Sequence, residues 1–156
     1  MAIKDTASRT INGPAEEVSS SSPVRRILLL VLGDAIVFLV FAAVGRRSHG
    51  EAAGVNALLQ IAWTAAPFAA GWFLVAPFVG AYRRLHARTP RRAAQEMAQR
   101  TALSWVAAWP VGLLFRGLIE RGVPPFSFMI VTLISNMVFL LLWRLPFAWF
   151  SRAKSR

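Results

Sequence analysis

A single carboxyl group, Asp34, sits inside an otherwise apolar run from Ile27 to Val44, ILLLVLGDAIVFLVFAAV. An Asp at the centre of a bilayer costs on the order of 2.5–3.5 kcal/mol on insertion scales, and such residues usually face a bundle interior. Asn136 falls at a similar depth in a later apolar segment, with Thr132 one turn before it and Ser135 beside it. Two chemistries fit this set. Asp34, Asn136 and Thr132 could form a site that passes protons or small solutes. Alternatively, Asp34 is held protonated, or hydrogen-bonded to Asn136, as interhelical glue. One carboxyl without a basic partner at its depth makes a thin relay, so the glue reading is preferred.

Two more polar groups fall between the apolar segments. Arg46, Arg47, Ser48, His49 and Glu51 follow the first segment, while Arg116, Glu120 and Arg121 follow the third. Facing each other on adjacent short loops, they would suit an anion or a protein partner, or plain ion pairing, which contributes little per exposed pair. The stretch from Tyr82 to Arg100 carries Arg83, Arg84, Arg88, Arg91 and Arg92, placed to touch lipid headgroups. It lacks the aromatic interleaving that nucleic acid binding would favour, so no nucleic acid partner is expected. With no cysteine, thiolate metal sites, disulfides and cysteine nucleophiles are excluded. His49 and His86 fall on opposite sides of the expected membrane, which argues against a shared haem or metal site, and no cofactor is expected. There is no Gly-rich phosphate loop, no H-E-x-x-H, no paired carboxylates and no serine with a plausible His and Asp on its face, so no catalytic residue is assigned.

These groups are positioned by a chain too greasy for a soluble domain: 156 residues, 56% apolar, mean hydropathy +0.49. The first apolar run is about 27 Å long at roughly 1.5 Å per residue, close to the hydrocarbon thickness. The pattern predicts an all-α polytopic membrane protein with four transmembrane helices at about 27–45, 57–82, 101–119 and 125–147. Thr89 and Pro90 suit an N-cap and first helical position, so the third helix is expected to begin before the membrane. Ala65, Ala66, Ala69, Ala70 and Gly71, and then Ser104, Ala108 and Gly112, make small-residue rows that let neighbouring backbones approach. Residues 1–24 read as a disordered polar tail, 25–150 as the transmembrane domain and 151–156 as a basic C-terminal tail. The first apolar run is longer than a signal-peptide core, and its removal would leave an odd number of spans, so retention is expected.

Net charge is +11, from 18 Lys and Arg against 7 Asp and Glu. With four spans, Arg46, Arg47, Arg116 and Arg121 fall on one side and every other Lys and Arg on the other. The positive-inside rule then places both termini in the cytoplasm of a cell whose plasma membrane holds the protein.

Several short motifs carry a resemblance: GD at Gly33 and Asp34, GRRSHGE at Gly45 to Glu51, the AW-x-x-x-P of Ala62, Trp63 and Pro67, GAY at Gly80 to Tyr82, the VPP-x-SF of Val123 to Phe128, and WR at Trp143 and Arg144. Over Arg26 to Phe147 the chain resembles the domain of unknown function 3054 family of small four-helix membrane proteins of bacteria, archaea and plastids. The resemblance implies the fold and the membrane setting and brings no activity with it. The expected role is structural, regulatory or in assembly of membrane complexes, with the lipid bilayer, its anionic headgroups and a membrane-protein partner or second copy as associates. A small-solute or proton transporter subunit using Asp34 and Asn136 is the alternative, and a membrane enzyme binding an anionic substrate at the outer loops is the third. A reporter active only outside the cytoplasm should give signal when fused after Gly50 or Gly122 and none after Ala87 or Arg156. Signal from the Ala87 fusion would reverse the orientation.

Overall fold

The computed structural model describes residues 23–48 and 55–153, with side chains over 23–45 and 59–151. Residues 1–22 of the expected tail and 154–156 of the basic end lie outside them. Four helices occupy the described residues: α1 (Pro23–Ser48), α2 (Val55–Val79), α3 (Pro90–Glu120) and α4 (Phe126–Ala153). Each is long and apolar enough to cross a membrane, and no strand occurs among the described residues. This is the all-helical, four-span fold expected from the hydropathy pattern.

The helix ends follow from local chemistry. At the start of α3, Thr89 is extended (φ −98°, ψ 146°) and its hydroxyl accepts from the Arg92 N–H at 3.4 Å, with Pro90 in the first turn where no donor is needed. The same helix stops where Arg121 turns left-handed (φ 56°) and its N–H and that of Gly122 both return to the Gly117 carbonyl. α2 closes at Val79, three residues short of Tyr82. Gly80 adopts φ 105°, which a glycine takes without strain, and the Gly80 and Ala81 N–H groups both return to the Ala76 carbonyl. That closure frees Tyr82 to turn inward from the loop.

Consecutive helices pack side by side, and α1 closes the ring by packing against both α2 and α4. In α1 the buried residues Leu30, Gly33, Asp34, Val37, Phe38, Phe41 and Ala42 repeat at three- and four-residue steps. Leu28, Leu32, Ile36 and Leu39 on the other side are exposed, as lipid-facing residues should be. In α4 the buried row is stricter: Thr132, Asn136, Leu140, Arg144 and Ala148, one every four residues. Across the diagonal, α1 and α3 meet through Phe38 and Trp105, whose ring centroids are 5.7 Å apart. Trp72, Phe68 and Trp105 complete an aromatic centre, all fully buried.

The closest backbone approach joins α2 to α3. A Cβ on Gly71 would stand 2.8 Å from the Gly112 nitrogen, and one on Gly112 would stand 2.9 Å from the Phe68 ring. Because the Gly71 obstacle is backbone, it cannot rotate away. Gly71→Ala should therefore lower thermal stability in detergent, by on the order of 1–3 kcal/mol of overpacking. Gly45→Ala, whose Cβ would meet nothing within 4 Å, should be neutral or slightly stabilising. Equal melting behaviour for the two variants would show that the α2–α3 approach is looser than described.

Candidate functional site

Asp34 lies at the centre of the buried stripe of α1 and is itself fully buried. Its partner is Arg144, also fully buried, reaching across from α4. Arg144 Nε donates to Asp34 Oδ1 at 2.8 Å and Nη2 to Oδ2 at 2.5 Å, a bidentate geometry that only a guanidinium supplies. Two further donors converge on Oδ2: the Tyr82 hydroxyl at 2.7 Å and the Trp72 indole N–H at 3.0 Å. The same indole N–H lies 2.9 Å from the Tyr82 oxygen. Burial and the neighbouring Asp34 carboxylate push the Tyr82 phenol well above its ordinary range, so it stays protonated and donates.

Arg144 is equally engaged. Its Nη1 donates to the Ala81 carbonyl at 3.0 Å, and its guanidinium carbon lies 4.9 Å from the Trp72 ring centroid and 5.0 Å from that of Tyr82. Two apolar layers seal the pair. On one side stand Phe38, Trp72, Trp105 and Leu140; on the other stand Leu30, Leu85, Ala93, Met97 and Ala148. Asp34 stands midway along the apolar stretch Pro23–Gly45, and the loop after α2 reaches the pair through the Ala81 carbonyl and the Tyr82 hydroxyl.

The loop between α2 and α3 is held by arginines from every other helix. Besides Arg144 on Ala81, Arg26 of α1 donates to the Tyr82 and Arg83 carbonyls at 3.3 Å each, and Arg100 of α3 donates to that of Arg84 at 3.2 Å. The Glu96 carboxylate takes the next two N–H groups, His86 at 2.9 Å and Ala87 at 3.0 Å, and pairs with Arg100 at 2.5 Å. Leu85 points inward and is buried. The exposed side chains of Arg83, Arg84, His86 and Arg88 are thereby set on a fixed backbone.

The expected Asp34–Asn136 hydrogen bond does not form. Asn136 Nδ2 donates instead to the Thr132 carbonyl of its own helix at 3.0 Å, and its Oδ1 is buried without a partner. Thr132 Oγ1 donates to the Met129 carbonyl and accepts from the Trp109 indole at 3.2 Å, and Ser135 is half-buried. Thr101 Oγ1 and Ser104 Oγ on α3 are likewise buried without partners. The basic partner is Arg144, which the charge asymmetry alone assigns only to the more basic side of the membrane and not to Asp34.

At the other end of the bundle, Arg116 pairs with Glu120 and lies 5.4 Å from the Phe128 ring centroid. The two line an open groove of about 470 Å³ with Leu59, Gln60, Trp63 and Thr64. Arg121 is exposed at the cap of α3. His49 and Glu51 lie outside the described residues, as do the side chains of Arg46, Arg47 and Ser48. Among the described residues no group of three His, Asp or Glu could hold a metal.

Four membrane-length helices closed around a sealed ion pair define a polytopic helical membrane protein. The chain belongs to the domain of unknown function 3054 family, described as a protein of unknown function, whose model matches residues 31–147. The matched span contains Asp34, Trp72, Tyr82 and Arg144. No curated protein and no solved structure matches the chain.

Removing one partner of a buried ion pair leaves an uncompensated charge and costs about 3–5 kcal/mol. Asp34→Asn and Arg144→Gln should each lose stability on that scale, and Arg144→Lys should lose part of it with the second hydrogen bond. Tyr82→Phe removes one hydrogen bond to a charged group and should cost about 1.5–3 kcal/mol. Melting temperatures in a mild detergent would rank the four, and a wild-type value for Asp34→Asn would contradict the pairing.

Proposed function

We propose that this protein is a non-catalytic structural or assembly component of the plasma membrane, with both termini in the cytoplasm. The observation that carries the reading is the engagement of Asp34. A buried carboxylate paired bidentately with Arg144 and also accepting from Tyr82 and Trp72 is charge-balanced, which supports a fixed join over a group that loads and releases protons. Its seal on both sides by apolar side chains supports a bond that fixes helices. The arginine asymmetry supports the orientation, placing the loop at residues 80–89 on the cytoplasmic side. The ligand of such a component is another membrane protein or a second copy, met through its lipid-facing helices.

A second reading, a small-solute or proton pathway using Asp34 and Asn136, draws on the buried, unpartnered side-chain oxygens of Asn136, Thr101 and Ser104 along α3 and α4. Neutralising the pair as a unit separates the two readings. The double variants Asp34→Asn/Arg144→Gln and Asp34→Leu/Arg144→Met each remove both charges together and strand neither. On the structural reading, the variant that accumulates in the membrane also complements a deletion strain. A stably inserted double variant that fails to complement would favour the pathway and overturn the structural role.

A further inference from the structure

We propose that the α2–α3 loop and the first turn of α3 form a preorganised binding surface for anionic phospholipid headgroups, carried by Arg83, Arg84, Arg88, Arg91 and Arg92. All five are exposed, and none has an ion-pair partner among the described residues. The described residues hold three carboxylates, and each is already engaged: Asp34 with Arg144, Glu96 with Arg100, and Glu120 with Arg116 at the far end of the bundle. Nor does the first turn of α3 contain an acidic residue, so Arg91 and Arg92 stand where the helix dipole already disfavours cations. A phosphate offsets both effects together.

The loop's fixed backbone is the second part of the argument. The carbonyls of residues 81 to 84 are each bound by an arginine of another helix, and the N–H groups of His86 and Ala87 by Glu96. Four of the loop's carbonyls thus already have an arginine donor from elsewhere in the fold, and its exposed guanidinium groups make no hydrogen bond to any of these four. The loop is bound by Arg26 of α1, and two and three residues further along that helix Leu28 and Leu29 are exposed and apolar. A cationic rim next to a lipid-facing apolar face matches the headgroup and acyl chain of one phospholipid molecule. It does not match a polyanion lying away from the bilayer. Because the surface is defined by the fold, the inference holds whichever leaflet it meets.

Native mass spectrometry of the full chain, equilibrated with equimolar phosphatidylglycerol and phosphatidylcholine in detergent, tests it. The wild type should retain phosphatidylglycerol in preference by about tenfold or more, given the strength of arginine attraction to anionic headgroups. Arg88→Gln/Arg91→Gln/Arg92→Gln should bring that preference close to unity while leaving the melting temperature unchanged, since none of the three side chains has an ion-pair partner among the described residues. Arg121→Gln at the opposite end should keep it. Equal retention of the two lipids by the wild type would overturn the proposal, as would a loss of preference in Arg121→Gln equal to that in the triple variant.

Discussion

The Asp34 carboxylate is the constraint on which the rest of the molecule depends. Leaving it charged and unpaired among apolar side chains is costly, so the fold must bring donors to it from several elements. It does so from α4 through Arg144, from α2 through Trp72 and from the following loop through Tyr82. Each donor lies on a different stretch of chain, so satisfying one carboxylate fixes the relative height of three segments against α1. A purely apolar interface would tolerate a one-turn slip of α4 along α1; a bidentate guanidinium would not.

Arg144 extends that constraint outward. Its remaining donor holds Ala81, which begins the run of carbonyls tied to α1, α4 and α3. The interior pair and the surface loop are thus one network, in which Tyr82 contributes its side chain to Asp34 and its backbone carbonyl to Arg26. Glu96 completes it from α3 by binding the next two N–H groups and Arg100. A loop of ten positions, 80–89, would ordinarily be mobile. Here the carbonyls of residues 81 to 84 and the N–H groups of His86 and Ala87 have charged partners, in bonds each roughly twice as strong as a neutral one.

Much of the fold was legible because the bilayer imposes length and hydropathy on each span, and because Thr89 with Pro90 is a local signal that depends on no distant contact. The polar centre was legible only in part. Asp34 declared itself as a lone charge in an apolar run. Arg144 did not, because an arginine a few residues from the end of an apolar segment has the composition of an ordinary interfacial residue. One signal was nonetheless present: Thr132, Asn136, Leu140, Arg144 and Ala148 form a single row at four-residue spacing, so a face that buries Asn136 also buries Arg144 two turns on.

The arrangement also bears on why the pair is ionic at all. In water a buried ion pair is often no better than an apolar replacement, because both charges lose hydration on folding. A chain folding within a bilayer starts from a different reference state. Once α1 and α4 are inserted, Asp34 and Arg144 have already left bulk water, so their association recovers electrostatic energy without repeating the full desolvation cost. The same argument explains the surrounding donors. Tyr82 would otherwise bury an O–H without an acceptor, and Asp34 takes it together with the Trp72 N–H, which also reaches the Tyr82 oxygen. Thr101, Ser104 and Asn136 show the contrast: three buried oxygens on neighbouring helices with no charge to gather around. The ion pair, unlike that seam, converts the cost of polar groups in an apolar interior into a single registered join.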